Sequence, residues 1–277
     1  MKMYLILFIM TALWSCSEDD KNSETPAKLE AQTLLNVSYG ADPQQKIDIY
    51  LPERMNNNTT KVLFLVHGGG WSGGSKEDMT ASVAIAKQLF PDHAFVNIGY
   101  RLATTASPAY PKQINDIQAA VSHMENGGFN LSKQYAFLGV SAGGHLSMLY
   151  SYHFDPEHHV QAICNIVGPS DFNDPAYAES PLADQLFVYV TSDITPQFLS
   201  EVSPITHINS LSAPTIQFMG NADPLVPISQ GQRLQAKLDV MDVPNELHIY
   251  NAEHGNFSPA DTQDIYTKLG IFFSAHF

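Results

Sequence analysis

The chain has 277 residues, 44% of them hydrophobic, so it can bury one large core, and nothing in it forces a split into two domains. A formal net charge of -14 argues against nucleic acid or an anionic membrane face as partner, since binding either needs clustered Lys and Arg, and it leaves a neutral or cationic small substrate open. The two cysteines, Cys16 and Cys164, do not amount to a disulfide framework.

Residues 1–15 carry Lys2, an apolar run over 3–13, and small or polar residues before Cys16. The run is too short to span a bilayer as a mature helix and reads as a signal peptide. Leu13-Trp14-Ser15-Cys16 resembles a bacterial lipoprotein cleavage box, in which the cysteine is lipidated and becomes the new N-terminus. Trp14 is bulky where such boxes carry a small residue, and a plain secretory signal with an incidental cysteine is the alternative. Residues 16–33 are then a polar, proline-bearing tether that cannot nucleate a core. Its acidic start, Ser17-Glu-Asp-Asp20, is similar to the export signals of some surface lipoproteins of Gram-negative bacteria or is simply a solvated linker. The expectation is an exported protein, anchored by lipid in a bacterial envelope, with the folded domain over 34–277.

Strand patterns open that domain: 34–39, then Lys46-Ile-Asp-Ile-Tyr-Leu51 with period two, ended by Pro52. Alternation means one half-buried face, which suits the antiparallel edge of a larger sheet. Residues 61–66 are a continuous apolar run, the mark of a strand buried on both faces, and His67-Gly-Gly-Gly-Trp71 follows. Three successive glycines lose more chain entropy than a plain turn requires, and they let backbone N–H groups point at one spot. The amides of Gly69, Gly70 and Ala142 are therefore assigned to an oxyanion hole, with Trp71 beside it as a substrate contact.

A helix is expected over 79–90, a strand over 94–100, a loop over 101–111, and a helix over 114–125 with Ile114, Ile117, Val121 and Met124 on one face. Asp116 in that helix reads as a structural holder of the Tyr100-Arg101 loop rather than a catalytic group. Next come an apolar strand and Gly139-Val-Ser141-Ala-Gly143, leading directly into a helical pattern. A serine at a strand-to-helix turn has a strained backbone, and glycines two residues to either side remove the side chains that would collide there. A strand over 160–167 contains Cys164, which reads as a buried small hydrophobe.

Residues 175–208 break the rhythm and are expected to form a short helical insertion over the mouth of the site. There Leu182, Leu186, Phe187 and Tyr189 either line an apolar acyl or aglycone slot or merely pack the insertion onto the sheet. A strand over 215–219, a helix over 229–240, a strand over 246–250 and a last helix from about 261 complete six or seven strands alternating with helices. That count implies a mainly parallel sheet covered on both faces, with ligands at the carboxyl ends of the strands.

Ser141, Asp223 and His254 each stand in a loop just after an expected strand, so three distant residues would gather on one edge of the sheet. A serine hydroxyl needs a base to take its proton, which His254 supplies, and the base needs an orienting acid, which Asp223 supplies. Pro224 fixes the turn that aims Asp223 inward, and Gly255 frees the loop around the imidazole. Asp171 and Glu253 are the fallback acids and His207 the fallback base. His153, His158 and His159 invite a metal reading, but Asp155-Pro156 interrupts helical spacing and no Cys or Glu completes a ligand set.

Together, His67-Gly-Gly-Gly-Trp71, Tyr100-Arg101-Leu102, Gly139-Val-Ser-Ala-Gly-Gly-His145, Ser203-Pro-Ile-Thr206, Asp223-Pro-Leu-Val-Pro227 and His254-Gly255 resemble the α/β-hydrolase superfamily. The similarity is greatest to its esterase and lipase branch with an HGGGW loop, which includes hormone-sensitive-lipase-like and feruloyl or acetylxylan esterase-like members. It extends from about residue 34 to residue 277 and keeps the order nucleophile, acid, base. The resemblance implies serine carboxylic-ester hydrolysis through an acyl-enzyme, with no metal or organic cofactor. Its short insertion implies an open cleft for short acyl groups, with acetyl or feruloyl esters of polysaccharides as the expected substrates. A peptidase or amidase of the same fold, including an arylformamidase, and a catalytically silent surface binding protein are the competing readings. Nothing in the sequence fixes an oligomeric state.

Overall fold

The computed structural model describes residues 30–178 and 183–277. The expected leader, the lipidation of Cys16, most of the tether and the substrate contact Leu182 lie outside the described residues. In chain order the elements are β1 (Gln32–Ser38), β2 (Lys46–Leu51), β3 (Val62–Val66), α1 (Thr80–Leu89), β4 (Ala94–Ile98), α2 (Lys112–Asn126), β5 (Tyr135–Val140) and α3 (Ala142–His153). They continue with β6 (Val160–Ile166), α4 (Pro175–Ala178), α5 (Ala183–Val190), α6 (Pro196–Val202), β7 (Thr215–Gly220), α7 (Ser229–Val240), β8 (Asn245–Tyr250) and α8 (Pro259–His276).

The eight strands form a single sheet in the order β1-β2-β4-β3-β5-β6-β7-β8. From β4 to β8 every neighbouring pair is parallel, while β1 and β2 are antiparallel additions at one edge. The antiparallel edge is the expected one. Six parallel strands alternate with helices, within the expected six or seven, and the edge pair brings the sheet to eight. β1 starts at Gln32, two residues before the expected boundary, and Gln32 and Thr33 pair with Leu51 and Tyr50.

β3 shows why the sheet is covered on both faces. Its five residues are all at most 1% exposed. Val62, Phe64 and Val66 belong to one core with Ile114, Ile117 and Val121 of α2 and Leu146 and Leu149 of α3. Leu63 and Leu65 belong to the other, with Val83 and Ala86 of α1 and Ile265, Leu269 and Phe273 of α8. Each such side chain contributes roughly 1.5–3 kcal/mol by leaving water, which is why the central strand reads as an unbroken apolar run. Cys164 is fully buried in the second core, and burial pushes its thiol far above the ordinary range, so it packs as a small hydrophobe.

Helix boundaries follow local chemistry. Ser258 caps α8 by accepting from the Asp261 N–H, and Pro259 occupies the first turn, so the helix begins two residues before the expected position. α2 ends at Gly127-Gly128, where Gly128 takes a φ of +73°.

Candidate active site

Four connections leave the carboxyl ends of β3, β5, β7 and β8 and converge. Ser141 is the one residue between β5 and α3, with φ 53° and ψ -119°. This is a region that L side chains rarely adopt, and its neighbours leave it no slack. A Cβ added at Gly139 would lie 2.2 Å from the Gly143 carbonyl oxygen, and one added at Gly143 would lie 2.1 Å from that of Val66. The two glycines of the Gly-x-Ser-x-Gly pattern therefore let α3 and the end of β3 close against the turn. Ser141 donates its own amide to the Ile166 carbonyl at 2.8 Å, which holds the turn to β6.

The β7 and β8 loops are tied to each other by the Ala222 N–H, which donates to the Ala252 carbonyl at 3.1 Å. From that frame the Asp223 carboxylate uses its two oxygens differently. Oδ1 accepts from the backbone N–H groups of Leu225 at 2.8 Å and Val226 at 3.0 Å. Oδ2 lies 2.7 Å from His254 Nδ1. His254 Nε2 lies 2.8 Å from Ser141 Oγ, so the expected hydroxyl, imidazole and carboxylate form one continuous line. The Asp223 side chain is fully buried and that of His254 is one-fifth exposed, so the imidazole reaches the cavity while its partner is shielded.

The loop His67-Gly-Gly-Gly-Trp71 is fixed at both ends. The Tyr100 hydroxyl donates to the His67 carbonyl at 2.8 Å, and the two rings stack 4.1 Å apart. Burial lowers the pKa of His67, against the raising effect of its Nδ1–H contact with the Gly68 carbonyl. At the other end the Trp71 carbonyl accepts from Gln113 Nε2 at 2.7 Å and the Ala103 N–H at 2.8 Å. Gly69 and Gly70 have φ of +112° and +55°, so the loop curls and the Gly69 carbonyl is consumed by the Gly73 N–H at 2.8 Å. Among the described residues no hydrogen bond uses the amides of Gly69, Gly70 or Ala142. Ala142 begins α3, whose N-terminal dipole favours developing negative charge. These three N–H groups thus remain unpaired among the described residues, as donors to an oxyanion would need to be.

A cavity of about 660 Å³ opens on this group, lined by Gly68, Gly69, Gly70, Ser141 and His254. Its wider walls are of two kinds. Trp71, Tyr177, Leu186, Phe187, Leu225 and Val226 are largely apolar, whereas Ser72, Asp78 and Ser82 form a polar corner. α5 of the 175–208 insertion supplies Leu186 and Phe187, as the slot reading expected, and α4 adds Tyr177. Tyr189 does not line the cavity and packs against the core instead. Trp71 lines it but is only 3% exposed, and its indole N–H is committed to His145 Nδ1 at 3.1 Å, so it acts as a wall rather than as a donor.

The rival residues lie elsewhere. Asp171 is paired with Arg233 at 2.6 Å, and His207 contacts the Glu201 carbonyl and stacks on His153. His159 lies by Glu125 at 3.4 Å. Asp116, fully buried, accepts from the Arg101 N–H, from its guanidinium and from Gln45, so it anchors the Tyr100-Arg101 loop. Sequence reasoning missed Tyr177 and the polar corner because single residues in irregular segments carry no periodicity; proximity to the HGGGW loop is the one clue that would have raised Asp78 and Ser82.

A family model described as BD-FAE matches residues 47–238 of this chain. Among curated proteins, the chain is similar to Esterase LipC of Mycobacterium tuberculosis, with 26% identity over 220 residues, 73% of this chain and 54% of that protein. It is also similar to a kynurenine formamidase of Salmo salar, with 31% identity over 125 residues, 43% of this chain and 38% of that protein. The chain spans about half the length of the curated esterases it matches. Among solved structures, "Bifunctional GH43-CE" of Bacteroides eggerthii superposes with a TM-score of 0.69 at 23% identity, over 88% of this chain and 38% of that one. A "Truncated form of carbohydrate esterase from gut microbiota" gives 0.67 at 21%, over 87% and 97%. At these identities the two likenesses establish a shared α/β-hydrolase fold.

Proposed function

Given that the chain belongs to the BD-FAE family, an esterase family of α/β-hydrolases, we propose that it is a serine carboxylic-ester hydrolase working through an acyl-enzyme. The observation that carries this reading is the unbroken line from Ser141 through His254 to Asp223 at the floor of an open cavity. In the proposed reaction His254 Nε2 takes the proton of Ser141 as Oγ attacks the ester carbonyl. The oxyanion meets the amides of Gly69, Gly70 and Ala142, while Asp223 stabilises the imidazolium. Collapse breaks the bond to the alcohol, which leaves with the proton from His254. Water, deprotonated by His254, then attacks the acyl-enzyme and frees Ser141.

The substrates proposed are short-chain or aromatic acyl esters, with acetyl or feruloyl groups on polysaccharides foremost. Support comes from the short insertion, from the net charge of -14, which disfavours polyanionic partners, and from the names of esterase and carbohydrate-esterase relatives. Purified protein should release acetate or ferulate from acylated xylan and cleave short p-nitrophenyl esters, and Ser141→Ala should do neither. Cleavage of the short esters alone would end the polysaccharide assignment; cleavage of no ester would end the hydrolase reading.

A second reading, an amidase of the arylformamidase kind, is favoured by the similarity to kynurenine formamidases. Turnover of an N-formyl aryl amide at rates near those of esters would place it first. We also propose that Cys16 is lipidated and tethers the domain to a bacterial envelope, on the pattern of residues 13–16. Cys16→Ser should then move the protein from the membrane fraction to the soluble one.

A further inference from the structure

Five tyrosines of the described chain are more than nine-tenths buried: Tyr100, Tyr135, Tyr150, Tyr152 and Tyr177. Tyr100, Tyr135 and Tyr152 hydrogen-bond to the His67 carbonyl, Glu125 and Thr215. Tyr150 and Tyr177 have no such bond among the described residues, and of these two only Tyr177 lines the cavity above Ser141. The Tyr177 hydroxyl is not among the fully buried, unpaired side-chain atoms of the described residues, and its side chain lines the cavity, so it offers a bound molecule a polar group that a phenylalanine would not.

The surroundings of Tyr177 narrow what that molecule carries. Its ring packs edge-on against Phe187 at 5.0 Å, and Phe187 packs edge-on against Phe172, which lies 5.9 Å from Trp71. The wall facing the nucleophile is thus aromatic and aliphatic from Trp71 to Leu225, and Tyr177 holds the side-chain hydroxyl within it. Burial, with Asp174, Asp223 and Asp171 nearby, raises the pKa of Tyr177 well above the ordinary value, which keeps the phenol protonated. A neutral phenol both donates to and accepts from an alcohol.

We infer that Tyr177 is a specificity-determining residue, whose hydroxyl binds a hydroxyl carried by the substrate on a ring lying along the aromatic wall. This rests on the ester-hydrolase reading and goes beyond it by naming the chemical feature selected. Such a ring belongs either to the acyl group, as a phenol, or to the alcohol, as a sugar. A site built around a polar contact discriminates against an analogue that lacks it, because binding the analogue takes water from the protein hydroxyl and gives it no partner in return.

The test compares matched esters on wild type and Tyr177→Phe. For the acyl side the pair is methyl para-hydroxyphenylacetate and methyl phenylacetate; for the alcohol side it is a monoacetylated methyl xyloside and cyclohexyl acetate. Wild type should favour the hydroxylated member of one pair in kcat/KM, and the variant should lose that preference by about tenfold. The pair that responds identifies the side. A preference unchanged by the substitution in both pairs overturns the inference, as does an equal fall for both members of each pair, which would make Tyr177 a packing residue. Turnover of none of the four by wild type would instead defeat the hydrolase reading beneath it. Because the substitution removes an unpaired hydroxyl and no hydrogen bond, the melting temperature should not fall, and a marked fall would itself contradict the unpartnered state.

Discussion

The indole N–H of Trp71 donates to Nδ1 of His145 at 3.1 Å, and this contact decides the protonation of a fully buried imidazole. An indole nitrogen can only donate, so Nδ1 carries no proton and Nε2 carries it, donating to the Val202 carbonyl at 2.8 Å. One side chain thus joins the glycine loop, α3 and the end of α6. A second proton on His145 would have to displace Trp71.

Burial accordingly lowers the His145 pKa to about 4 from 6.5, against the raising effect of the Val202 contact. The folded state resists a proton that the unfolded chain takes up, so stability is intact above about 6.5 and falls as pH drops towards 4. The full shift corresponds to about 3 kcal/mol. Thermal unfolding of wild type and His145→Gln across this range should show a flatter acid decline in the variant, even if it starts from a lower melting temperature. Parallel curves would contradict the assigned tautomer.

Ser141 sits at φ 53° for the sake of its exposed hydroxyl, and relief of that backbone should be measurable. Ser141→Gly is expected to be more stable than Ser141→Ala by about 1–3 kcal/mol, although both abolish ester hydrolysis. Chemical denaturation of the two variants gives the comparison. Equal stability would mean that the turn is unstrained.

Asp223→Asn keeps the shape of the side chain but removes the charge opposite His254 Nδ1. Turnover of a short ester should fall by roughly a thousand- to ten-thousandfold, with thermal stability little changed. A fall of less than tenfold would point to another acid.

Asp116→Ala strips the partner from Arg101, whose guanidinium Nη2 lies 2.6 Å from the carboxylate. Removing one member of a buried ion pair costs about 3–5 kcal/mol, and partial hydration of Arg101 places this case at the low end. The loss should appear in denaturation, with ester turnover in the surviving folded enzyme reduced far less than in Asp223→Asn.

Much of this was legible in the chain because periodicity is local. The apolar run at β3, the alternation at β2 and the one-sided pattern of α2 each report which faces are buried, and a parallel sheet follows from their alternation. The Gly-x-Ser-x-Gly pentapeptide also carried its own geometry, since only glycine fits where a Cβ would meet the Val66 or Gly143 carbonyl. The insertion was harder to read, because short helices such as α4 and α6 are set by packing rather than by pattern.

The sequence by itself determined the fold class, the candidate nucleophile and short sets of candidate bases and acids, because their chemistry and their place after strands are properties of short segments. Tertiary structure alone decided that Asp223, and not Asp171, faces His254, since Asp171 is drawn away by Arg233 on a neighbouring helix. It likewise committed the indole N–H of Trp71 to His145 while leaving the ring as a cavity wall, and brought Tyr177 to the cavity without a hydrogen-bond partner among the described residues. Which of several chemically equivalent groups meet depends on contacts between residues far apart in the chain, and no local pattern records those distances.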